Sequence, residues 1–278
     1  VFRFAAHGAA EMVTCTALQK FETRSASTGN LCVGLDPDPA RLPAVLGDGV
    51  DGVRRFCLEI IAATSPFAAA FKPNAAFFEI HGAAGWAVLG EVIAAVPPQI
   101  PIILDAKRGD IGNSARFYAQ AAFGTGADAI TVSPYLGRDA IQPFVDHRDR
   151  MTFVLASTSN PGAADFQDIA DTSGEPLYAR VARLASSMHL QPGAVGLVAG
   201  ATRPEALANI RAAAPELWLL LPGIGAQGGD LARVAPIAGR RALFNASREI
   251  LFASAGSDFP ERAALAAQNL RDELGRHL

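Results

Sequence analysis

From residue 31 onward, short apolar runs alternate with longer Ala-rich stretches that suit helices. Each run has three to five residues, too few for a helix, and is almost continuously hydrophobic, as parallel strands buried on both faces are. The segments between them are long enough for a loop and a helix, which a right-handed βαβ crossover requires. The eight runs are residues 31–35, 67–71, 102–104, 129–132, 152–155, 195–198, 217–221 and 242–245.

Eight βα units predict a single (β/α)₈ TIM barrel, a fold of the α/β class, and a doubly wound open sheet is the alternative. A length of 278 residues and a hydrophobic fraction of 50% suit one domain with a large core. Three segments are predicted as outer helices: Ser114–Phe123, Pro204–Ala214 and Pro260–Leu274. No linker or repeat interrupts residues 31–278, so we expect them to form the barrel domain, preceded by a tail and a lead-in helix in residues 1–30.

Charge and cysteine content narrow the possible partners and the compartment. The net charge of −3 gives no basic excess for a nucleic-acid or an anionic membrane partner. Cys15, Cys32 and Cys57 are odd in number and form no CxxC pair, which argues against a disulfide framework and favours a reducing cytoplasm. Pro and Gly interrupt every apolar stretch before the roughly 18 residues of a membrane-spanning helix. The segment Val1–Glu11 lacks the apolar core of a signal peptide and is expected to be a tail.

Charged side chains follow the first three predicted strands directly. In a barrel the groups that bind and react lie on the loops after the strand ends, so these charges are expected to share one mouth. Asp105 and Lys107 are two residues apart and project to the same side of an extended strand. Any one of these charges could belong to a structural ion pair at the rim, but a set of four carboxylates and two lysines predicts a functional array. The set is Asp36, Asp38, Lys72, Asp105, Lys107 and Asp110.

The last two predicted strands end in a pattern that suits phosphate. Strand seven runs into the glycine-rich segment 221–230, which contains Pro222, Ile224 and Gln227. Strand eight runs into Arg248. Glycine backbone that a ligand can approach, next to an arginine, is typical of the phosphate site after strands seven and eight of a barrel. A surface salt bridge is the alternative explanation for Arg248.

Six segments together resemble the orotidine 5′-phosphate decarboxylase family, and most closely its bacterial group with DAKRGDIG and FKPN signatures. The DxKxxD pattern alone marks a wider superfamily, whereas six segments in order between Leu31 and Phe252 are specific. The segments are LCVGLDPDP (31–39), AFKPNAAFFE (70–79), LDAKRGDIGNS (104–114), TSNPGA (158–163), LPGIGAQGGD (221–230) and NASR (245–248).

The resemblance implies decarboxylation of orotidine 5′-phosphate to UMP in de novo pyrimidine biosynthesis, without a cofactor. Lys107 would protonate C6 of the pyrimidine, and Asp105 would lie against the departing carboxylate. Asp36 and Lys72 would hold the ribose hydroxyls and brace the array. Asp105, Lys107 and Asp110 match the DxKxxD array, and Lys72 would complete the alternating Lys-Asp-Lys-Asp chain.

The resemblance also implies a homodimer with shared sites and a set of substrate contacts. Asp110 and Ser114, which replaces a frequent threonine of the family, would act across the dimer interface. Ser159 would read the amide edge of the pyrimidine. Gln227 and Arg248 would clamp the 5′-phosphate. Ile111, Pro222 and Ile224 are also expected at the substrate, with Ile224 in a closing loop.

Motifs for cofactors and metals are not found in the sequence. There is no P-loop, no GxGxxG after the first strand and no HxxEH among the five histidines, so no cofactor and no metal site is predicted. Fixed charges would then have to supply most of the catalytic effect. Two alternatives stay open: a magnesium-dependent sugar-phosphate decarboxylase or aldolase of the same superfamily, and a non-catalytic barrel that binds nucleotides.

Overall fold

Eight parallel strands form a single sheet in the computed structural model, which describes residues 16–190, 193–224 and 230–278. Each strand pairs with its neighbours in sequence, and the first pairs with the last, giving the order β2-β1-β8-β7-β6-β5-β4-β3. The strands are β1 Leu31–Leu35, β2 Ala70–Pro73, β3 Ile103–Arg108, β4 Ala129–Val132, β5 Met151–Leu155, β6 Ala194–Val198, β7 Trp218–Pro222 and β8 Ala242–Ala246.

The two ends of this order meet, which closes the sheet. Isolated parallel bridges join Phe71 to Ile102 and Asn74 to Asp105, between β2 and β3. A sheet is a barrel without a free edge when the strands at the two ends of its order, here β2 and β3, also pair with each other. The predicted (β/α)₈ barrel is therefore confirmed, and the open-sheet alternative is wrong.

Helices alternate with the strands around the barrel. The predicted helices 114–123, 204–214 and 260–274 correspond to α5, α8 and α11, and each differs at its ends by a few residues at most. The helices are α1 Ala17–Thr28, α2 Gly49–Thr64, α3 Ala76–Glu79, α4 Gly82–Ala95, α5 Gly112–Gly124, α6 Arg138–Val145, α7 Leu177–Met188, α8 Pro204–Ala213, α9 Leu231–Ala238, α10 Arg248–Leu251 and α11 Phe259–His277. Short 3₁₀ turns span Pro39–Arg41, Ala44–Leu46 and Pro161–Asp165.

Two strands differ from their predicted bounds by more than one residue. The second was expected at 67–71, but the N–H groups of Phe67 and Ala68 both bond the carbonyl of Thr64 and extend the last turn of α2. The third was expected at 102–104, but β3 continues through the charged residues to Arg108. Lys72, Asp105 and Lys107 therefore belong to the strands themselves rather than to the loops that follow them.

Helix α1 packs beneath the barrel, at the amino-terminal ends of the strands. Phe21 is fully buried, and its ring lies 6.0 Å from that of Phe153 and 6.1 Å from that of Trp218. Lys20 Nζ binds both carboxylate oxygens of Asp128 at 2.8 Å. This helix falls within the segment expected to lead into the barrel, whereas the tail expected at residues 1–11 lies outside the described residues.

The described cysteines are unreactive in this fold. Cys32 and Cys57 are both free and buried. Burial, which disfavours the thiolate, raises the pKa of Cys32 to about 12 and raises that of Cys57 as well. Cys15 lies outside the described residues. Within those residues, no helix combines the length and the apolar character needed to cross a membrane.

Candidate active site

Three charges from β2 and β3 meet at the carboxyl end of the barrel. Lys72 Nζ binds Oδ2 of Asp105 at 2.7 Å, and Lys107 Nζ binds Oδ1 of the same carboxylate at 2.7 Å. On its other side, Lys72 Nζ lies 3.9 Å from Oδ1 of Asp36, which follows β1. The structure thus brings four of the six charges of the predicted array into one connected network.

This network keeps Asp105 and Lys72 charged. Burial alone would raise the pKa of Asp105, but the ammonium groups of Lys72 and Lys107 outweigh it and hold that pKa well below its usual range. Burial alone would lower the pKa of Lys72, but the carboxylates of Asp105 and Asp36 outweigh it and raise that pKa. The site therefore holds a buried anion between two cations at neutral pH.

A bulge in β3 sets the direction of the Lys107 side chain. The pairing of β3 with β4 shifts register between Leu104 and Arg108, and Lys107 has a left-handed φ of 45°. Thr131 Oγ1 stabilises this backbone by accepting from the N–H groups of Ala106 at 3.1 Å and Lys107 at 2.9 Å. The same hydroxyl donates to Asp105 Oδ1 at 2.9 Å. Bulges of this kind re-aim side chains next to active sites.

The two lysines differ sharply in access to solvent. The side chain of Lys72 is 3% exposed, whereas that of Lys107 is 49% exposed. Lys72 is therefore fixed within the barrel, whereas about half of the Lys107 side chain is open to solvent.

A cavity lies beside this array, above the ends of strands β1, β2, β3, β7 and β8. Six predicted site residues line it: Asp36, Lys72, Asp105, Pro222, Ile224 and Arg248. Its wall also includes residues to which the sequence analysis gave no role, namely Asn74, Gly223, Asn245, Ser247 and Glu249. Lys107 is joined to the cavity through its bond to Asp105.

Two buried oxygen atoms in the cavity wall have no hydrogen-bond partner among the described residues. They are Oδ1 of Asp36 and Oδ1 of Asn245. A buried acceptor without a donor is costly, so both favour a ligand that brings hydroxyl or N–H groups. Asn245 stands within the NASR segment, and the strand register that turns it into the cavity could not be read from that segment.

Gly34 of β1 allows the wall of this cavity to form. A Cβ atom at Gly34 would lie 2.0 Å from Ser247 Oγ and 3.1 Å from Asn245 Oδ1. Any larger residue would therefore push the polar side chains at the end of β8 out of place.

Arg248 begins the short helix α10, and its side chain is exposed. Among the described residues it forms no ion pair, so the surface salt bridge considered as an alternative is not found there. The described part of the chain also has no group of three or more His, Cys, Asp or Glu side chains arranged to hold a metal ion.

Comparisons with known proteins agree on one family. The model of the orotidine 5′-phosphate decarboxylase / HUMPS family matches residues 29–259. Orotidine 5′-phosphate decarboxylase of Roseiflexus castenholzii is 50% identical over 253 residues, which cover 89% of this chain and 93% of that protein. The corresponding Herpetosiphon aurantiacus enzyme is 49% identical and covers 90% and 95%. The solved structure of Leishmania donovani OMP decarboxylase is 41% identical, with a TM-score of 0.83 over 94% of this chain and 98% of that one.

The chain belongs to the orotidine 5′-phosphate decarboxylase / HUMPS family. The resemblance drawn from six sequence segments is thus confirmed at the level of the family.

Several residues expected to act in this family do not line the cavity of a single chain. Asp110 Oδ1 accepts from the N–H of Ile111 at 2.8 Å, just before α5, and both Ile111 and Ser114 are exposed. Ser159 is exposed on the loop after β5. The predicted phosphate ligand Gln227 lies outside the described residues.

Proposed function

We propose that this protein decarboxylates orotidine 5′-phosphate to UMP in de novo pyrimidine biosynthesis, with residues 31–278 as the catalytic barrel domain. The observation that carries this proposal is the Lys72–Asp105–Lys107 array beside a cavity whose wall includes Arg248. Membership of the family, and relatives about 50% identical that bear this enzyme name, support the same activity.

The reaction proposed for the array is the cleavage of one carbon–carbon bond followed by the transfer of one proton. The bond between C6 of the pyrimidine and its carboxylate breaks, CO₂ leaves, and the electron pair stays on C6. Lys107 Nζ then gives a proton to C6, which yields UMP, and solvent restores the proton to the lysine. Lys107 suits this role because it is the more exposed of the two ammonium groups that contact Asp105.

The electrostatic repulsion between Asp105 and the substrate changes along the reaction. Because it stays ionised, it repels the substrate carboxylate in the ground state, and this repulsion disappears as neutral CO₂ forms. The adjacent ammonium groups stabilise the negative charge that develops on C6. Both effects favour the transition state over the bound substrate, which is the condition for a higher kcat.

The remaining substrate contacts follow from the cavity wall. Arg248 and Gln227 would bind the 5′-phosphate, with Pro222 and Ile224 beside it. Asp36 and Lys72 would bind the ribose hydroxyls, and Oδ1 of Asp36, which accepts no hydrogen bond among the described residues, supports this assignment. Ser159 would contact the amide edge of the base. Binding energy from the remote phosphate can be used to exclude water at the reacting carbon.

We further propose a homodimer in which Asp110, Ile111 and Ser114 complete the site of the partner subunit. The start of α5 and nearby loops expose large apolar side chains that favour such an interface. Phe117 is 57% exposed and Tyr135 is 81% exposed. The free, buried cysteines also fit the proposed location in the reducing cytoplasm.

Subunit mixing tests the shared site. Asp110→Ala and Lys107→Ala proteins should each be nearly inactive, and mixing equal amounts under conditions of exchange should restore about one quarter of wild-type turnover. In the mixed dimer one site lacks both groups and the other is intact. Exchange is confirmed by native mass spectrometry of differently tagged subunits, and mixed dimers without activity would contradict the sharing of Asp110.

The proposed activity is tested with the purified protein and orotidine 5′-phosphate, by following the fall in absorbance as UMP forms. We expect turnover to be the same with and without EDTA. Turnover lost in EDTA and restored by Mg²⁺ would instead support the magnesium-dependent alternative. Tight binding of UMP without any loss of orotidylate would support the non-catalytic barrel.

A further inference from the structure

We propose that Gln167, in the insertion after β5, is a positioning residue for base recognition, because it fixes the backbone beside Ser159. The inference rests on the proposed function, and specifically on contact between Ser159 and the pyrimidine. The insertion lies between β5 and α7, and the sequence alone gave no role to its segment Asp165–Glu175.

Gln167 holds Thr158 through both ends of its side-chain amide. The N–H of Thr158 donates to Gln167 Oε1 at 2.9 Å, and Gln167 Nε2 donates to Thr158 Oγ1 at 2.8 Å. Thr158 Oγ1 in turn donates to Asn160 Oδ1 at 2.7 Å. Ser159 therefore lies between two residues that are bonded to each other, one of which is held by Gln167.

The loop after β6 holds the same peptide from another side. Gly200 donates its N–H to the carbonyl of Ser157 at 3.0 Å. A Cβ atom at Gly200 would lie 2.9 Å from the backbone nitrogen of Ser159, so the two backbones pack directly against each other. Ser159 is thus exposed on a loop whose backbone is restrained by its neighbours.

Gln167 is itself anchored to a rigid element. Between residues 159 and 174, only Ala163 and Gln167 are not exposed. The Gln167 carbonyl accepts from the N–H of Tyr178 at 3.2 Å, in the first turn of α7, where such groups lack helical partners. Nearby, Asp168 pairs with Arg203, whose guanidinium lies 5.8 Å from the centre of the Tyr178 ring. Through Gln167 the insertion connects Thr158 to helix α7, and these contacts fix the position of Thr158 relative to that helix.

Removing the side-chain amide of Gln167 should weaken binding of the pyrimidine base and leave binding of the phosphate and the ribose unchanged. A loop that must be ordered on binding weakens affinity for the group it contacts. The phosphate and ribose contacts come from other strands, so their affinity should not depend on Gln167. We therefore expect the affinity for UMP to fall and the affinity for ligands that lack the base to stay the same.

The test compares UMP with ribose 5-phosphate, measured by direct calorimetric binding to full-length protein. Gln167→Ala should weaken UMP binding about tenfold and change ribose 5-phosphate binding less than about twofold, since two hydrogen bonds are lost.

Gln167→Glu keeps the acceptor for the Thr158 N–H, and Thr158→Val keeps the N–H itself, so each should cost about threefold in UMP affinity. Asp165→Asn, an exposed change two residues away, is the matched control and should match wild type.

An unchanged UMP affinity in Gln167→Ala would overturn the proposal, as would equal weakening of both ligands, which is the result of general damage to the fold. Thermal melting of each variant checks that the barrel is folded. Failure of the proposed function is a separate result, because it appears in the wild-type protein as no turnover of orotidylate. The binding comparison needs no turnover and decides the role of Gln167 in either case.

Discussion

Replacing Lys107 with alanine should reduce kcat/KM for orotidine 5′-phosphate by a factor of about 10³ or more. The variant loses both the proposed proton donor to C6 and one of the two cations that surround Asp105. Because the side chain is 49% exposed and Lys72 still pairs with Asp105, the fold should remain intact. Steady-state kinetics with matched melting curves measure the effect.

A Lys107→Arg variant separates charge from proton transfer. Arginine keeps the cation beside Asp105 but does not release its proton at the pH of the reaction. We expect Lys107→Arg to bind UMP with nearly wild-type affinity while turnover stays low. Near-normal turnover in either variant would contradict the role assigned to Lys107.

The second large effect is on stability. Lys72→Met should lower the free energy of unfolding by about 3–5 kcal/mol, because it leaves the buried Asp105 and the nearby Asp36 without their central cation. Lys107→Met removes a partner of the same carboxylate from a half-exposed position and should cost less than about 1 kcal/mol. Urea unfolding of the two variants measures the difference, and equal losses would contradict the burial-based account of the array.

The pH dependence of this effect has a definite sign. The pKa of Asp105 is lowered by folding, so its stabilisation is present above the ordinary value of about 3.9 and is lost as the pH falls further. The pKa of Lys72 is raised, so its contribution is complete below about 10.4 and is lost only as the pH rises through the folded value. The stability gap between wild type and Lys72→Met should therefore narrow as the pH falls from about 5 to about 2. A gap that stays constant over that range would contradict the pairing.

The barrel could be predicted because parallel strands buried on both faces leave a strong signal. Runs such as 129–132 and 242–245 match β4 and β8 closely. Hydrophobicity did not predict the full length of a strand that ends in charged residues, as β3 does. Hydrophobicity ends at Leu104, whereas backbone pairing continues to Arg108.

The array could be predicted because its charges come directly after short apolar runs, but its supports could not. Thr131 sits in the apolar run of β4 and has the sequence context of a core residue. Only the register of β4 against the bulged end of β3 brings its hydroxyl to Asp105 and to the N–H of Lys107.

A crystal structure of the protein with UMP tests the central claim most directly. We predict that C6 of the pyrimidine lies within about 3.5 Å of Lys107 Nζ, the distance of a reacting pair, with the phosphate bound to Arg248. A nucleotide bound outside this cavity, with Lys72, Asp105 and Lys107 separated from one another in solvent, would contradict the account.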